Sequence, residues 1–195
     1  MLSVPDIVRR LDLASGTIEG CPTTERRLSD LRGVFADSDA YESALQQQNP
    51  LVYRVSTIQE GTGQGELHCG LGVLMPGRVG SEYFMTKGHL HSWRPAAEFY
   101  IGLKGRGIML LETKVGNDSV WCNLLPESLV HVPGNTAHRT VNIGDEPLVY
   151  IGIYPSDAGH DYSTLTARNF RLVVVAGTHG PKVIRRTDFP AHRLP

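Results

Sequence analysis

The segment His89-Leu90-His91, followed by Glu98, brings together residue types that bind transition metals. On a β-strand, residues i and i+2 lie on the same face, so both imidazoles would project together while Leu90 points the other way. Pro95 cannot continue a central strand, so the chain is expected to bend there and resume at Glu98. If the two strands pair as a hairpin, the Glu98 carboxylate can converge on both imidazoles. Such a set suits a divalent metal with open positions for substrate or water.

A fourth ligand is expected from a distant strand, and His138 is the candidate. It follows the proline turn of VPGNTAHRTVN and begins another β-like run. An isolated His-x-His pair on a strand is more often a surface or hydrogen-bonded core feature than a ligand pair. The prediction is therefore a joint site of three histidines and one glutamate. Its members are His89, His91, Glu98 and His138.

The sequence around these residues predicts short β-strands, and these strands must position the four side chains. From about residue 51 the chain consists of about ten runs rich in Val, Ile, Leu and Tyr, separated by turn signals such as PGRVG and GDEP. No helical pattern separates the runs, so a parallel α/β fold is disfavoured. The sequence therefore predicts an all-β protein, a jelly-roll barrel whose concave interior can hold a small ligand.

The first 50 residues are predicted to form short helices packed on that barrel. Residues 4–16, VPDIVRRLDLASG, carry apolar residues near helical spacing, with Gly16 as a stop. Residues 37–50, DSDAYESALQQQNP, offer Asp37 or Ser38 as a cap and Pro50 as a terminator. The whole is expected to be one domain. Its parts are an N-terminal segment 1–50, a barrel 51–176, and a tail 177–195 that forms surface structure or a dimer contact.

Composition excludes several classes of function. The chain has 195 residues, 41% of them hydrophobic, and a formal net charge of -1, so nothing favours binding to a nucleic-acid backbone. Cys21, Cys69 and Cys122 are odd in number and widely spaced, which predicts free thiols in a reducing cytoplasm. No apolar run is long enough for a signal peptide or a membrane span. We expect a cytoplasmic protein with neither membrane nor nucleic-acid partners.

The constellation resembles the two-part signature of the cupin superfamily, whose fold is a small jelly-roll barrel. Glu98 is followed by Gly105, and His138 by Asn142, at the spacing of that signature. A closer resemblance covers roughly residues 28–165. The stretches YFMTKGHLHSWRPAAEFYIGLKGRGIMLLET and VPGNTAHRTVNIGDEPLVYIGIYPSDAGHDY are similar to the cupin-type glucose-6-phosphate isomerases of archaea and some bacteria.

This resemblance implies a homodimeric enzyme of glycolysis and gluconeogenesis that binds one divalent metal per subunit. The four predicted ligands match the family's metal ligands, with iron the expected ion and zinc, manganese or nickel as alternatives. Gly72 departs from the pattern, because family members carry there a threonine that contacts phosphate. This departure keeps isomerisation of another sugar, free or phosphorylated, open as an alternative. The residues matching the family's sugar-phosphate pocket are Tyr53, Thr86, Gly88, Tyr100, Tyr154, His160 and Tyr162.

The implied chemistry can be reasoned from the cluster itself. An aldose becomes a ketose when one hydrogen moves from C2 to C1, which requires stabilisation of the charge that develops on oxygen. A divalent metal on O1 and O2 supplies that stabilisation. Glu98 is the acidic residue of the cluster and so the candidate base, although a bound cation lowers its basicity and leaves a hydride shift as the other route. A cupin dioxygenase and a metal-free binding module are the rival functions.

Overall fold

The computed structural model describes residues 8–113, 118–166 and 169–192. Strands dominate, and every pairing between strands in these ranges is antiparallel. The strands are β1 Leu11–Asp12, β2 Thr17–Ile18, β3 Thr23–Arg27, β4 Leu51–Ile58, β5 Leu67–Leu74, β6 Arg78–Val79, β7 Glu82–Tyr83, β8 Glu98–Lys104, β9 Gly107–Thr113, β10 Ser119–Leu124, β11 Leu129–Val132, β12 Thr136–Asn142, β13 Leu148–Pro155, β14 Leu172–Gly177 and β15 Gly180–Arg185. The helices are α1 Ser38–Gln47, α2 Ser163–Thr166, and the 3-10 helices Leu28–Leu31 and Arg186–His192.

The barrel is built from two facing layers. One layer is a six-stranded sheet in the order β11-β8-β13-β5-β4-β3. The other combines β10-β9-β12 with β15-β14-β7-β6, and the bridge between Met85 and Val141 links these two sheets. One hydrophobic cluster includes Leu74 and Tyr100 from the first layer and Met109 and Val141 from the second, so the layers pack face to face. The predicted all-β jelly roll is confirmed.

Strand alternation positions the inner residues of β8. Glu98, Tyr100 and Gly102 are buried, whereas Phe99 between them is 44% exposed. This is the period-two pattern of a strand with one face on the core. All seven residues of β12 are buried, because that strand is covered on both sides. The two strands therefore present Glu98 and His138 to the same interior.

Of the two predicted N-terminal helices, one forms. Helix α1 begins after Asp37, whose carboxylate accepts a hydrogen bond from the Ala40 N–H, as expected for an N-cap. The helix predicted over residues 4–16 is wrong for the described part, residues 8–16, which holds β1 and a turn. The Asp12 carboxylate accepts hydrogen bonds from the N–H groups of Ala14 and Ser15, and Gly16 has a φ of +66°. Local side-chain bonds of this kind compete with a helix.

The two ends of the chain contribute strands. β3 pairs with β4, so the N-terminal segment extends the six-stranded sheet. β15 pairs along the whole of β14, and Phe189 packs on Val173 and Val175 behind it. The division into segments at residues 50 and 176 stays a prediction. The three cysteines are free, and no helix in the described ranges has the length and apolarity to cross a membrane.

Candidate active site

The histidine segment is held against β12 and not against β8. His89 and His138 exchange backbone hydrogen bonds of 3.2 and 3.0 Å, and Leu90 pairs likewise with Asp161. The predicted hairpin between the histidine segment and the Glu98 strand is therefore wrong. A turn closed by the bond from the Ala96 N–H to the Trp93 carbonyl carries the chain from one layer to the other. Glu98 consequently faces the imidazoles from across the barrel.

The four predicted ligands nevertheless converge on one point. Their ligand atoms all lie within 4.8 Å of one another. Oε2 of Glu98 lies 3.0 Å from Nε2 of His138 and 3.3 Å from Nε2 of His91. Such spacing leaves room for one ion that touches every member. The geometry agrees with a mononuclear site, and the role of each residue as a ligand stays a prediction.

Four buried atoms at this point lack hydrogen-bond partners among the described residues. They are Oε2 of Glu98 and Nε2 of His89, His91 and His138. Buried polar atoms without partners are costly, so a native structure usually satisfies them. Nδ1 of His91 lies 3.0 Å from the Ala96 carbonyl, and Nδ1 of His138 lies 3.2 Å from that of Thr136. Donation from Nδ1–H to these carbonyls leaves the lone pair of each Nε2 free for a metal.

Electrostatics favour cation binding at the cluster. Burial by itself raises the pKa of Glu98, but the imidazoles of His138 and His91 outweigh burial where they present Nε2–H to the carboxylate, and that pKa then lies at about 2. A cation in place of those protons favours the carboxylate anion in the same way. Burial, with neighbouring histidines, lowers the pKa of His89 well below its usual value. At neutral pH the site therefore presents a carboxylate anion together with a neutral imidazole. This donor set fits a divalent first-row ion.

The seven predicted substrate residues line one pocket above the cluster. The pocket also includes His89, Glu98 and His138, so the cluster lies at its base. Sequence reasoning missed Tyr150 and Gly152, which line the same pocket from β13. Period-two spacing from Tyr154 on that strand would have identified both. The predicted residues in the lining are Tyr53, Thr86, Gly88, Tyr100, Tyr154, His160 and Tyr162.

The loop that carries His160 and Tyr162 closes one side of the pocket. The ring of His160 lies 4.4 Å from that of His89 and stacks on Tyr162 with an interplanar angle of 10°. Lys87 places its ammonium 5.0 Å from the centre of the Tyr162 ring. These contacts place the His160 imidazole and the Lys87 ammonium, both polar and the second cationic, beside the mouth of the pocket.

Arg94 fixes this loop, a role the sequence did not indicate. Its Nη1 donates to the His91 carbonyl at 2.6 Å, and its Nη2 donates to the Asp161 carboxylate. Asp161 in turn accepts from the hydroxyl of Thr164 at 2.7 Å. Because Asp161 is 67 residues from Arg94 in the chain, no local pattern could have revealed the pair.

A sequence profile described as glucose-6-phosphate isomerase (GPI) matches residues 25–191. The chain belongs to this family. The glucose-6-phosphate isomerase of Pyrococcus furiosus is 43% identical over 175 residues, which cover 90% of this chain and 92% of that protein. That of Thermococcus onnurineus is 44% identical over 182 residues, covering 93% and 95%. The putative glucose-6-phosphate isomerase 1 of Rhizobium meliloti is 38% identical, covering 80% and 73%.

Membership in the glucose-6-phosphate isomerase family confirms the predicted family and the predicted class of enzyme, an isomerase. The matched span contains all four members of the candidate metal cluster and every predicted pocket residue. The cluster and the polar pocket therefore lie in the part of the chain that carries the family's sequence pattern.

Proposed function

We propose that this protein interconverts D-glucose 6-phosphate and D-fructose 6-phosphate, a step of glycolysis and gluconeogenesis, with one divalent metal bound by the cluster. The observation that carries the proposal is the convergence of four buried, unpartnered ligand atoms at the base of a polar pocket. Iron is the expected ion, with zinc, manganese or nickel as alternatives, because imidazole and carboxylate ligands suit each of them. When bound, the ion supplies Lewis-acid stabilisation of the charge that develops on O1 and O2.

The protein's own groups bind and orient the sugar. The hydroxyls of Tyr53, Tyr100 and Tyr154 face a polyol, and burial raises the pKa of Tyr53 and of Tyr154 to about 12, so both remain protonated donors at neutral pH. Burial also lowers the pKa of His160, which makes its imidazole a neutral hydrogen-bond partner for a sugar hydroxyl. Aromatic rings around the pocket exclude water from the reacting carbons.

Glu98 is our candidate for moving the proton. In the forward direction it takes the proton from C2 and returns it to C1, while the hydroxyl hydrogen passes from O2 to O1. A pKa of about 2 makes the carboxylate a weak base, so the reaction relies on the stabilisation of charge on the sugar oxygens. Exchange with solvent during turnover in D2O would place deuterium at C1 of the product. Complete transfer of the original C2 hydrogen would contradict this role for Glu98.

We assign the phosphoryl group to the part of the pocket lined by Thr86 and Gly88. Gly88 has a φ of +71°, a conformation that favours glycine and lets the backbone approach a ligand closely. The backbone of Lys87 lies beside the Tyr53 hydroxyl, so this turn borders the pocket wall. The tyrosine, threonine and histidine side chains in the pocket lining suit a sugar phosphate better than the apolar aromatic substrates of many oxygenases. This lining is our reason to rank the dioxygenase alternative lower.

An isomerase assay with and without a chelator tests the proposal. We expect glucose 6-phosphate to be converted to fructose 6-phosphate, with loss of activity in chelator and recovery on addition of one of the four ions. Activity that is unchanged in chelator would contradict the metal assignment. Absence of activity with every ion would contradict the proposed isomerisation. Because Gly72 lacks a hydroxyl, the assay should include free fructose and a pentose phosphate as alternative substrates. The homodimer and the cytoplasmic location stay predictions.

A further inference from the structure

Gly72 and Tyr150 form a close pair across the six-stranded sheet. They are cross-strand partners on β5 and β13. A Cβ atom built on Gly72 would lie 2.5 Å from Cζ of Tyr150 and 2.8 Å from its hydroxyl oxygen. Such distances are well inside van der Waals contact, so the phenol occupies the space of a side chain at position 72. Tyr150 can lie there because residue 72 is glycine.

The hydroxyl of Tyr150 joins a group of hydroxyls at one end of the pocket. Tyr150 is 6% exposed and lines the pocket wall, with its ring 5.5 Å from that of Tyr100. The side chain of Thr140 lies beside the Tyr150 hydroxyl. The Thr140 N–H in turn donates to Oγ1 of Thr86 at 3.1 Å. Tyr150 therefore lies on the side of the pocket where Thr86 is found.

The Tyr150 hydroxyl can donate one hydrogen bond into the pocket. A hydroxyl has one donor and two acceptor sites. Burial raises the pKa of Tyr150. Tyr150 therefore keeps its own proton at neutral pH and has it available for an acceptor in the pocket.

We propose that the Tyr150 hydroxyl donates a hydrogen bond to a phosphoryl oxygen of the bound sugar phosphate, and that Gly72 provides the room for it. The pair thus supplies from β13 the hydroxyl that is missing on β5. Tyr150 is then a specificity-determining residue that favours phosphorylated over free sugars. This inference rests on the proposed function, because it assumes that a sugar phosphate occupies the pocket.

Replacement of the hydroxyl alone tests the inference. Tyr150→Phe keeps the ring, and we expect KM for glucose 6-phosphate to rise ~10- to 100-fold while kcat changes less than about twofold, since hydrogen bonds to charged groups are strong. Calorimetry with D-glucitol 6-phosphate, which cannot isomerise, should show the same loss of affinity. Affinity for D-glucitol should not change. Tyr83→Phe, on β7 and away from the pocket, is the matched control and should match the parent protein in all three measurements.

A second variant tests the role of Gly72. Gly72→Ala should displace the phenol and raise KM as Tyr150→Phe does, and the double variant should be little worse than either single one, because the same contact is lost. Additive effects on KM would contradict the pairing.

Three further outcomes are decisive. Unchanged KM and unchanged affinity for D-glucitol 6-phosphate in Tyr150→Phe would overturn the inference even if Gly72→Ala fails to fold. Equal losses for D-glucitol and D-glucitol 6-phosphate would overturn the phosphoryl assignment. A parent protein that binds D-glucitol 6-phosphate through Tyr150 but isomerises nothing would instead overturn the proposed function and support the contact.

Discussion

The backbone of Gly152 lies directly behind the carboxylate of Glu98. A Cβ atom built on Gly152 would be 2.7 Å from Oε1 of Glu98. The backbone of β13 therefore limits how far the Glu98 carboxylate can move away from the imidazoles. This close approach restricts the position of the carboxylate that we propose as a metal ligand, and support of that kind for a ligand affects metal affinity.

Gly152→Ala is therefore expected to weaken metal binding. The added methyl group pushes the Glu98 carboxylate off its position, and we expect metal affinity to fall about 10- to 100-fold, as when a supporting neighbour of a ligand is lost. Metal content after dialysis against graded metal buffers measures the change. Gly144→Ala is the control, because the nearest atom to a Cβ there is 3.5 Å away. Equal metal content in both variants would contradict the supporting role of Gly152.

Glu98→Gln tests the proposed base. The amide keeps the shape of the side chain but cannot accept the proton, so kcat should fall about 10²- to 10⁴-fold. Turnover is compared at saturating metal, with bound metal quantified in each sample, so that loss of the ion is separated from loss of the base. Glu146→Gln changes an exposed glutamate that pairs with Lys104, and its kcat should equal that of the parent protein. A metal-loaded Glu98→Gln protein with undiminished kcat would rule the carboxylate out as base.

Metal removal should also destabilise the fold. An ion that binds the folded chain at about 100 times its Kd stabilises it by about 2.7 kcal/mol. For a chain of this size, that difference corresponds to a change in Tm of about 5 to 10 °C. Differential scanning calorimetry with and without chelator measures it, and His138→Ala should abolish the response. If chelator lowers the Tm of His138→Ala as much as that of the parent protein, the ion binds at another site.

Arg94→Ala should impair substrate binding more than catalysis. Without the guanidinium, the Asp161 carboxylate is no longer tied to the His91 backbone, and the loop bearing His160 and Tyr162 loosens. We expect KM to rise roughly tenfold with a smaller change in kcat, because remote contacts of this kind contribute to binding. Arg185→Ala, on the exposed side of β15, is the control. Equal KM values for the two variants would contradict the role of Arg94.

The hydrogen-bonded pair of Arg94 and Asp161 also predicts that stability depends on pH. Hydrogen bonds from Thr164, Ser163 and Arg94 lower the pKa of Asp161 well below its usual value. A carboxyl whose pKa is lowered by folding stabilises the fold above its unfolded pKa of about 4 and loses that contribution as the pH falls. The difference in Tm between the parent protein and Asp161→Asn should therefore be constant from pH 7 to 5 and shrink below about pH 4. A difference that persists at low pH would contradict this linkage.

Local geometry explains why much of the site was predictable. His89 and His91 face one way because alternation along an extended chain is set within three residues. Asp37 caps α1 because its side chain reaches an N–H only three residues ahead. The failed helix over residues 4–16 shows the limit of spacing alone. Val8 and Leu11 stand at helical spacing yet are 58% and 41% exposed, and the hydrogen bonds accepted by Asp12 determine the local fold instead.

The sequence by itself determined the all-β fold and the composition of the proposed metal cluster, since these follow from residue types and short-range alternation, whereas the pocket residues were predicted from the resemblance to a family. The tertiary structure decided which strands meet. His89 pairs with His138 and not with the Glu98 strand, Gly72 accommodates Tyr150, and Arg94 binds Asp161. Each of these contacts joins residues that are distant along the chain. Burial of whole sheet faces selects such neighbours, and no short window of sequence contains that information.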